Sequence, residues 1–344
     1  MFLERKQRPL GFTIEKLNNK ERRNDFWKGS VKQHIVPKCY LKAWCDPKTP
    51  KNHEPYIWLI SKDGTEKTKR SPQKSLKGAD AYMIRFPDGK TDQIVETTLS
   101  QLEGHFVRVR RKIVELKKLD GFDRAYLALF MMAMHARTDS AAAAMETSMN
   151  RLHEIVSDLE DAIKQGTAPP PMRSLRPDGK ERGTPITSVD TEFLRKNVRP
   201  NNVIFSLELA PLLASMSLAF GRSTDRQFVT SDDPCSWYSP GDYRLPPFYR
   251  GGALGKKDIE ITMPITPEFI AIVTHDPKVT GYLDVPSKHV DNFNRRTIGM
   301  AHSHFVSQTS ETVPYWFSRP TLPPDAWENK NKTANAPDTD GKED

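Results

Sequence analysis

From Phe122 to His135 the chain is apolar nearly all the way round a helical wheel, with Leu127, Phe130, Met131 and Met134 at three- and four-residue steps. A helix with no polar face has to be surrounded, so this stretch commits the chain to a core in which other elements pack on a central helix. Its apolar run, Ala125–Ala136, falls short of the roughly 20 residues of a membrane span. The same periodicity predicts a helix over Ile94–Leu119, through Leu99, Leu102, Phe106, Val109, Ile113 and Leu116. Glu96 and Glu103 lie seven residues apart and therefore on one face of it. After Arg137 an alanine-rich stretch free of Gly and Pro predicts that the central helix continues to about Lys164. Val203–Phe220 predicts a second central helix, kinked at Pro211 and ended by Gly221.

The remaining signals are strands and turns. Pro37 suits the first turn of a short helix whose Tyr40, Leu41 and Trp44 form one apolar face. Tyr56–Ile60 followed by Asp63-Gly64, and Ala81–Phe86 followed by Asp88-Gly89, predict hairpins. Strands are expected at Arg226–Val229, Ile259–Pro264 and Phe269–Val273, then a helix over Lys288–His302 and a short strand at Phe305-Val306. The expected fold class is α+β, with long central helices packed on a small, mostly antiparallel sheet. One domain is expected over 31–318, behind a charged arm at 1–30. Residues 165–187, with Pro169-Pro170-Pro171, read as a mobile loop, and 319–344 as a disordered tail.

Three cysteines, Cys39, Cys45 and Cys235, cannot form a disulfide framework, and the first residues lack the apolar core of a secretory signal. The protein reads as cytosolic and not membrane-bound. Fifty-two basic against forty-four acidic residues give a net charge of +8, which favours encounter with a polyanion without establishing it, since such an excess is often only a solvated surface; a nucleotide or nucleic acid is the candidate partner.

Motifs for phosphate loops, dinucleotide binding, zinc proteases and nucleophile elbows are absent. The densest polar signal is Thr230-Ser231-Asp232-Asp233-Pro234, where a β-branched and aromatic run stops in small polar residues. It reads as a hydrogen-bonded turn before proline, or as a strand delivering side chains to a cleft. Gln33-His34-Ile35-Val36-Pro37 with Tyr40-Leu41, Val95-Glu96 through Leu102-Glu103, Arg137-Thr138, Phe228–Pro234, Pro264-Ile265-Thr266-Pro267 and Asn292–Asn294 occur in that order. Together they resemble a bacterial family of domains of unknown function, number 4238, over roughly residues 31–310. The resemblance departs at Trp44, where the family has Phe, and at Asp233, where it has Asn. It implies a helical core with a sheet, and no activity.

Read as chemistry, the matched polar residues offer an acid, an imidazole and a cation, which is the composition of a hydrolytic site. His34, Glu103 and Asp232 are the catalytic candidates, and Arg137, Ser231 and Asn294 the substrate-binding ones. Glu103 and Asp232 are carboxylates that could hold a divalent cation, the cofactor being otherwise open, and Arg137 is expected to meet Asp232 directly or through a ligand. The function expected first is metal-assisted hydrolysis of a phosphodiester or nucleotide. The alternative is a non-catalytic ligand- or protein-binding module in a stress or defence system, in which the same polar residues form a network that fixes the fold.

Overall fold

A computed structural model describes residues 32–79, 81–165, 167, 186–319, 321 and 323–329 of the chain. The expected arm at 1–30 and most of the expected loop at 165–187 lie outside the described residues. In chain order, β1 (Lys32–His34) and α1 (Lys38–Leu41) precede a hairpin of β2 (Ile57–Ser61) and β3 (Lys67–Arg70). Next come β4 (Lys77–Ala79), β5 (Ile84–Arg85) and β6 (Thr91–Asp92). Then follow α2 (Ile94–Val114), α3 (Gly121–Ala136), α4 (Asp139–Lys164), α5 (Ser188–Lys196) and α6 (Val198–Ser215). The last part holds β7 (Ser217–Arg222), β8 (Thr230–Ser231), β9 (Ser236–Tyr238), β10 (Glu260–Thr266), β11 (Phe269–Thr274) and β12 (Gly281–Asp284). It closes with α7 (Ser287–Met300) and β13 (His304–Ser307). The fold is α+β.

The strands form sheets of order β12-β7-β11-β10-β9 and β3-β2-β13-β8, with two-stranded pairs β1-β4 and β5-β6. Every pairing is antiparallel except β12 on β7. Both Asp-Gly hairpins form, with Gly64 and Gly89 at φ +79° and +82°, where a side chain is strained. Pro264 lies inside β10 without breaking it, because β9 pairs only with Glu260–Thr262 and leaves that edge open.

One hydrophobic cluster joins α1, α2, α3 and α6 to β7, β10 and β11. Phe106 of α2 and Phe130 of α3 stack with centroids 3.8 Å apart, and Tyr40 of α1 tilts onto both. The apolar stretch of the sequence is therefore the centre of the core, as its lack of a polar face requires.

Several boundaries differ from expectation, each for a local reason. Helix α2 stops at Val114 because Leu116 turns left-handed (φ +55°) and the Leu116 and Lys117 amides bond back to the Ile113 and Lys112 carbonyls. The helix expected to run on to Lys164 breaks at Arg137-Thr138. There the Thr138 hydroxyl accepts from the Ala141 amide at 3.1 Å and starts α4 as a cap. Helix α6 ends at Ser215 and the last expected turns are β7. Gly221 is a strand residue, where a Cβ would come within 2.7 Å of Val285 and 2.8 Å of Ile270. The strand expected at Arg226–Val229 is displaced to β8. Helix α5 was not expected, although Thr187 and Asp190 form a capping box at its start. Residues 323–329, inside the expected tail, are packed: Ala326 is buried, and Asp325 and Glu328 pair with Arg244 and Arg250, each at 2.6 Å.

Tyr40 gives the first test of this packing. Its buried hydroxyl donates to the Pro264 carbonyl at 2.6 Å and lies 2.7 Å from the Thr230 hydroxyl. Tyr40→Phe keeps the ring contacts and leaves a carbonyl and a hydroxyl without that partner. It is expected to lower unfolding free energy by roughly 1–3 kcal/mol in a denaturant titration with an unchanged slope. A loss under about 0.5 kcal/mol would show that the hydroxyl contributes no net stability.

Candidate functional site

Along the segment 227–233 almost every polar group is engaged. Asn294 of α7 clamps it, accepting from the Val229 amide and donating to the Gln227 carbonyl, both at 2.9 Å. Trp44 donates from Nε1 to the Phe228 carbonyl at 3.1 Å, while the Phe228 amide reaches the Pro267 carbonyl at 2.8 Å. Asp232 accepts three backbone amides, His302 at 2.8 Å on one oxygen and Ser303 and His304 at 2.8 and 2.9 Å on the other. It thereby fixes the turn from α7 into β13. Ser231 is fully buried and closes the turn on itself, donating to the Asp233 carbonyl at 2.7 Å and accepting the Asp233 amide at 3.1 Å. These are the roles of a structural turn.

A second centre is built on Arg137, which is 3% exposed. Its position follows from the α3–α4 break, which turns the guanidinium toward α2 and the start of the chain. Its Nη1 donates to Glu103 at 3.0 Å, its Nε to the Tyr82 hydroxyl at 3.2 Å, and its Nη2 to the His34 backbone carbonyl. Glu96, two helical turns before Glu103, feels the same cation; burial pushes its carboxyl up from the usual range in spite of Arg137, and its Oε2 is buried with no partner. The backbone of Pro72 and Gln73 acts to raise the His34 pKa, against the larger effect of burial. Burial and the nearby Lys77 charge lower its pKa, so it is neutral at pH 7, and Nε2 is buried without a partner. The Cys39 thiol lies 3.9 Å from Glu103, and burial with that carboxylate pushes it up to about 12, which keeps it from acting as a thiolate.

Between the two centres lies Asp233, 1% exposed, with Oδ1 unpartnered. Burial, then the neighbouring Asp232 carboxylate, pushes it up to about 7. Its carboxyl lies against the Thr138 hydroxyl, whose own proton is donated to the His135 carbonyl at 3.0 Å. A protonated Asp233 is the form that can donate to that oxygen. His135 stacks on Trp237 and burial holds it down to about 4.

The structure thus brings together three of the expected site residues, His34, Glu103 and Arg137, and adds Glu96, Tyr82 and Cys39. It places Asp232, Ser231 and Asn294 elsewhere, in the 227–233 segment. Arg137 and Asp232 do not pair: each nitrogen of the guanidinium already donates to another group, and both Asp232 oxygens hold backbone amides. The expected cation site on Glu103 and Asp232 is therefore not assembled. Among the described residues no three His, Cys, Asp or Glu side chains come together as a metal site. Glu96 was legible from its spacing to Glu103. Asp233 stood out only as a second carboxylate in the turn, and Tyr82 carried no signal, since nothing in the pattern tells a buried tyrosine from its exposed neighbours.

Asp233 makes the protein's stability depend on pH in a defined sense. Its folded pKa of about 7 lies above its ordinary 3.8. The folded state therefore holds a proton that the unfolded state has lost, and the stability this gives is complete below pH ~4 and disappears as pH rises through ~7. Asp233→Asn is expected to remove that slope. Relative to Asp233→Asn, the native chain should lose about 2–4 kcal/mol of unfolding free energy between pH 5 and pH 8.5. Parallel profiles for the two proteins would mean that Asp233 is ionised throughout. At the other centre, Arg137→Met leaves Glu103 half-buried and unpaired. It is expected to cost about 3–5 kcal/mol in the same titration, with Glu103→Gln in the same background restoring part of the loss.

No curated protein and no solved structure matches the chain. A family model described as "Protein of unknown function (DUF4238)" matches residues 32–311, a range that holds the 227–233 segment, its clamps and the Arg137 centre. The chain belongs to that family.

Proposed function

We propose that this chain is a non-catalytic ligand-binding module, and that the polar residues of its motifs fix the fold. The observation behind this reading is that every nitrogen of the Arg137 guanidinium and both oxygens of Asp232 already have protein partners. A catalytic carboxylate needs an oxygen free for the reactant or a metal, and both Asp232 oxygens accept backbone amides. An arginine that grips a phosphate needs free donors, and Arg137 directs its own to Tyr82, Glu103 and a carbonyl. The net charge of +8 favours an anionic ligand, with a nucleotide or nucleic acid as the partner class.

The hydrolase reading retains support from a different pair. His34, neutral with an unpartnered Nε2, has the form of a general base, and Glu96, held toward its protonated form, that of a general acid. A screen of nucleotides, cyclic nucleotides and short phosphodiesters, with and without Mg²⁺ or Mn²⁺, separates the two. The binding module shows no turnover above a buffer blank. Turnover abolished by His34→Gln or Glu96→Gln at an unchanged melting temperature would overturn it for a hydrolase centred on those two residues. Turnover abolished by Asp232→Asn alone, again without loss of stability, would restore the original site.

A further inference from the structure

We infer that a polar cavity beside the Arg137 centre binds a mononucleotide-sized phosphate ester. The inference deepens the binding-module reading, on which it rests for the claim that the ligand is held and not cleaved. The cavity has a volume of about 370 Å³ and lies between the Ala81–Arg85 segment, the first turns of α4 and the α5–α6 junction. That volume is in the range of ligand pockets. Four cationic side chains, Arg85, Arg195, Lys196 and Arg199, line it against two carboxylates, Asp139 and Glu146.

Its walls are held in place by groups that do not themselves line it. Asn197 is 1% exposed and grips the backbone of Arg85 twice, accepting its amide at 2.7 Å and donating to its carbonyl at 3.0 Å. Asn202 ties α6 to the end of α3 through the Ala136 carbonyl at 2.9 Å. Arg199 donates from Nη2 to Asp139, while its Nη1 is buried and has no partner. Arg199 lines the cavity with a side chain 32% exposed, and its charge favours an anionic oxygen there. Arg195 and Lys196, both held by Glu192, supply cations at the mouth.

The rest of the lining selects an ester over bare phosphate. Asp139 and Glu146 repel a bare phosphate dianion and can accept from sugar hydroxyls. Tyr82, between the lining residues Ala81 and Met83, feels the charges of both Arg137 and Arg199. The cavity therefore adjoins the Arg137 centre through one ring.

Titration calorimetry on the full chain tests this with adenosine and guanosine mono-, di- and triphosphates, the matching nucleosides, inorganic phosphate and a short single-stranded oligonucleotide. One mononucleotide is expected to bind at 1:1, with its nucleoside and inorganic phosphate each at least about tenfold weaker. Arg199→Lys should weaken binding about tenfold or more, because lysine cannot span Asp139 and the ligand together. Arg195→Gln with Lys196→Gln changes exposed side chains only. It should weaken binding roughly three- to tenfold at an unchanged melting temperature. Failure of every nucleotide to saturate the folded protein would overturn the site, as would affinity indifferent to both variants. Binding of the oligonucleotide but of no mononucleotide would likewise overturn it, moving the contact to the surface. Cleavage of a bound nucleotide, followed by phosphorus NMR, would overturn the non-catalytic reading while leaving the site standing.

Discussion

The segment 227–233 is held by side chains and a backbone carbonyl from three widely separated parts of the chain, and the two larger sheets meet through it. Trp44 and Tyr40 reach it from α1 and the turn after it, Asn294 from α7, and the Pro264–Pro267 corner from between β10 and β11. Each of these bonds satisfies a buried group that would otherwise be left unpaired at about 1–3 kcal/mol. An extended segment outside any ladder for most of its length has no regular partners for its amides and carbonyls, so side chains must provide them. That requirement explains why the motifs combine large aromatics with one amide and one carboxylate.

The Arg137 centre solves a different problem. A fully buried guanidinium is tolerated only with its donors filled and its charge opposed, and Glu103, Tyr82 and a carbonyl do both. Glu103 keeps contact with solvent, its side chain 27% exposed against 3% for Arg137. The ion pair therefore joins the interior to the surface at that point. Glu96 and His34 stand around the same cation with one unpartnered atom each, which makes this the less completely satisfied of the two hubs.

Much of this was legible in the sequence where a periodic signal existed. The apolar wheel around Phe130 and Met131, the Asp-Gly hairpins and the α2 stripe depend on spacing alone, and they stand where the spacing puts them. The failures lie where one apolar pattern serves two structures. Val203–Phe220 is equally apolar in the α6 helix and in β7, and only the packing of Gly221 against Val285 and Ile270 shows where the sheet begins. The break before α4 rested on a single threonine cap inside an alanine-rich run, too weak a signal against strong helix propensity. The site was half legible for a related reason. Composition identified the right polar residues, but a carboxylate that holds three amides and one that faces a cation are the same letter in a sequence.

The three residues at the α3–α4 break tie these parts together. Arg137 faces the ion-pair centre, Thr138 lies against Asp233 of the 227–233 turn, and Asp139 holds Arg199 at the cavity wall. A continuous helix would spread three successive side chains over about 200° of its circumference at a fixed rise, and the angles between them could not be adjusted. Ending α3 at Ala136 and restarting at Asp139 frees those directions, and Thr138 replaces the lost helical bonds by capping α4 and bonding back to His135. The break is thus the point at which the core helix, the turn and the cavity share one rigid support. A ligand that bound Arg199 would bear on the same support through Asp139, which is one residue from Thr138 and two from Arg137.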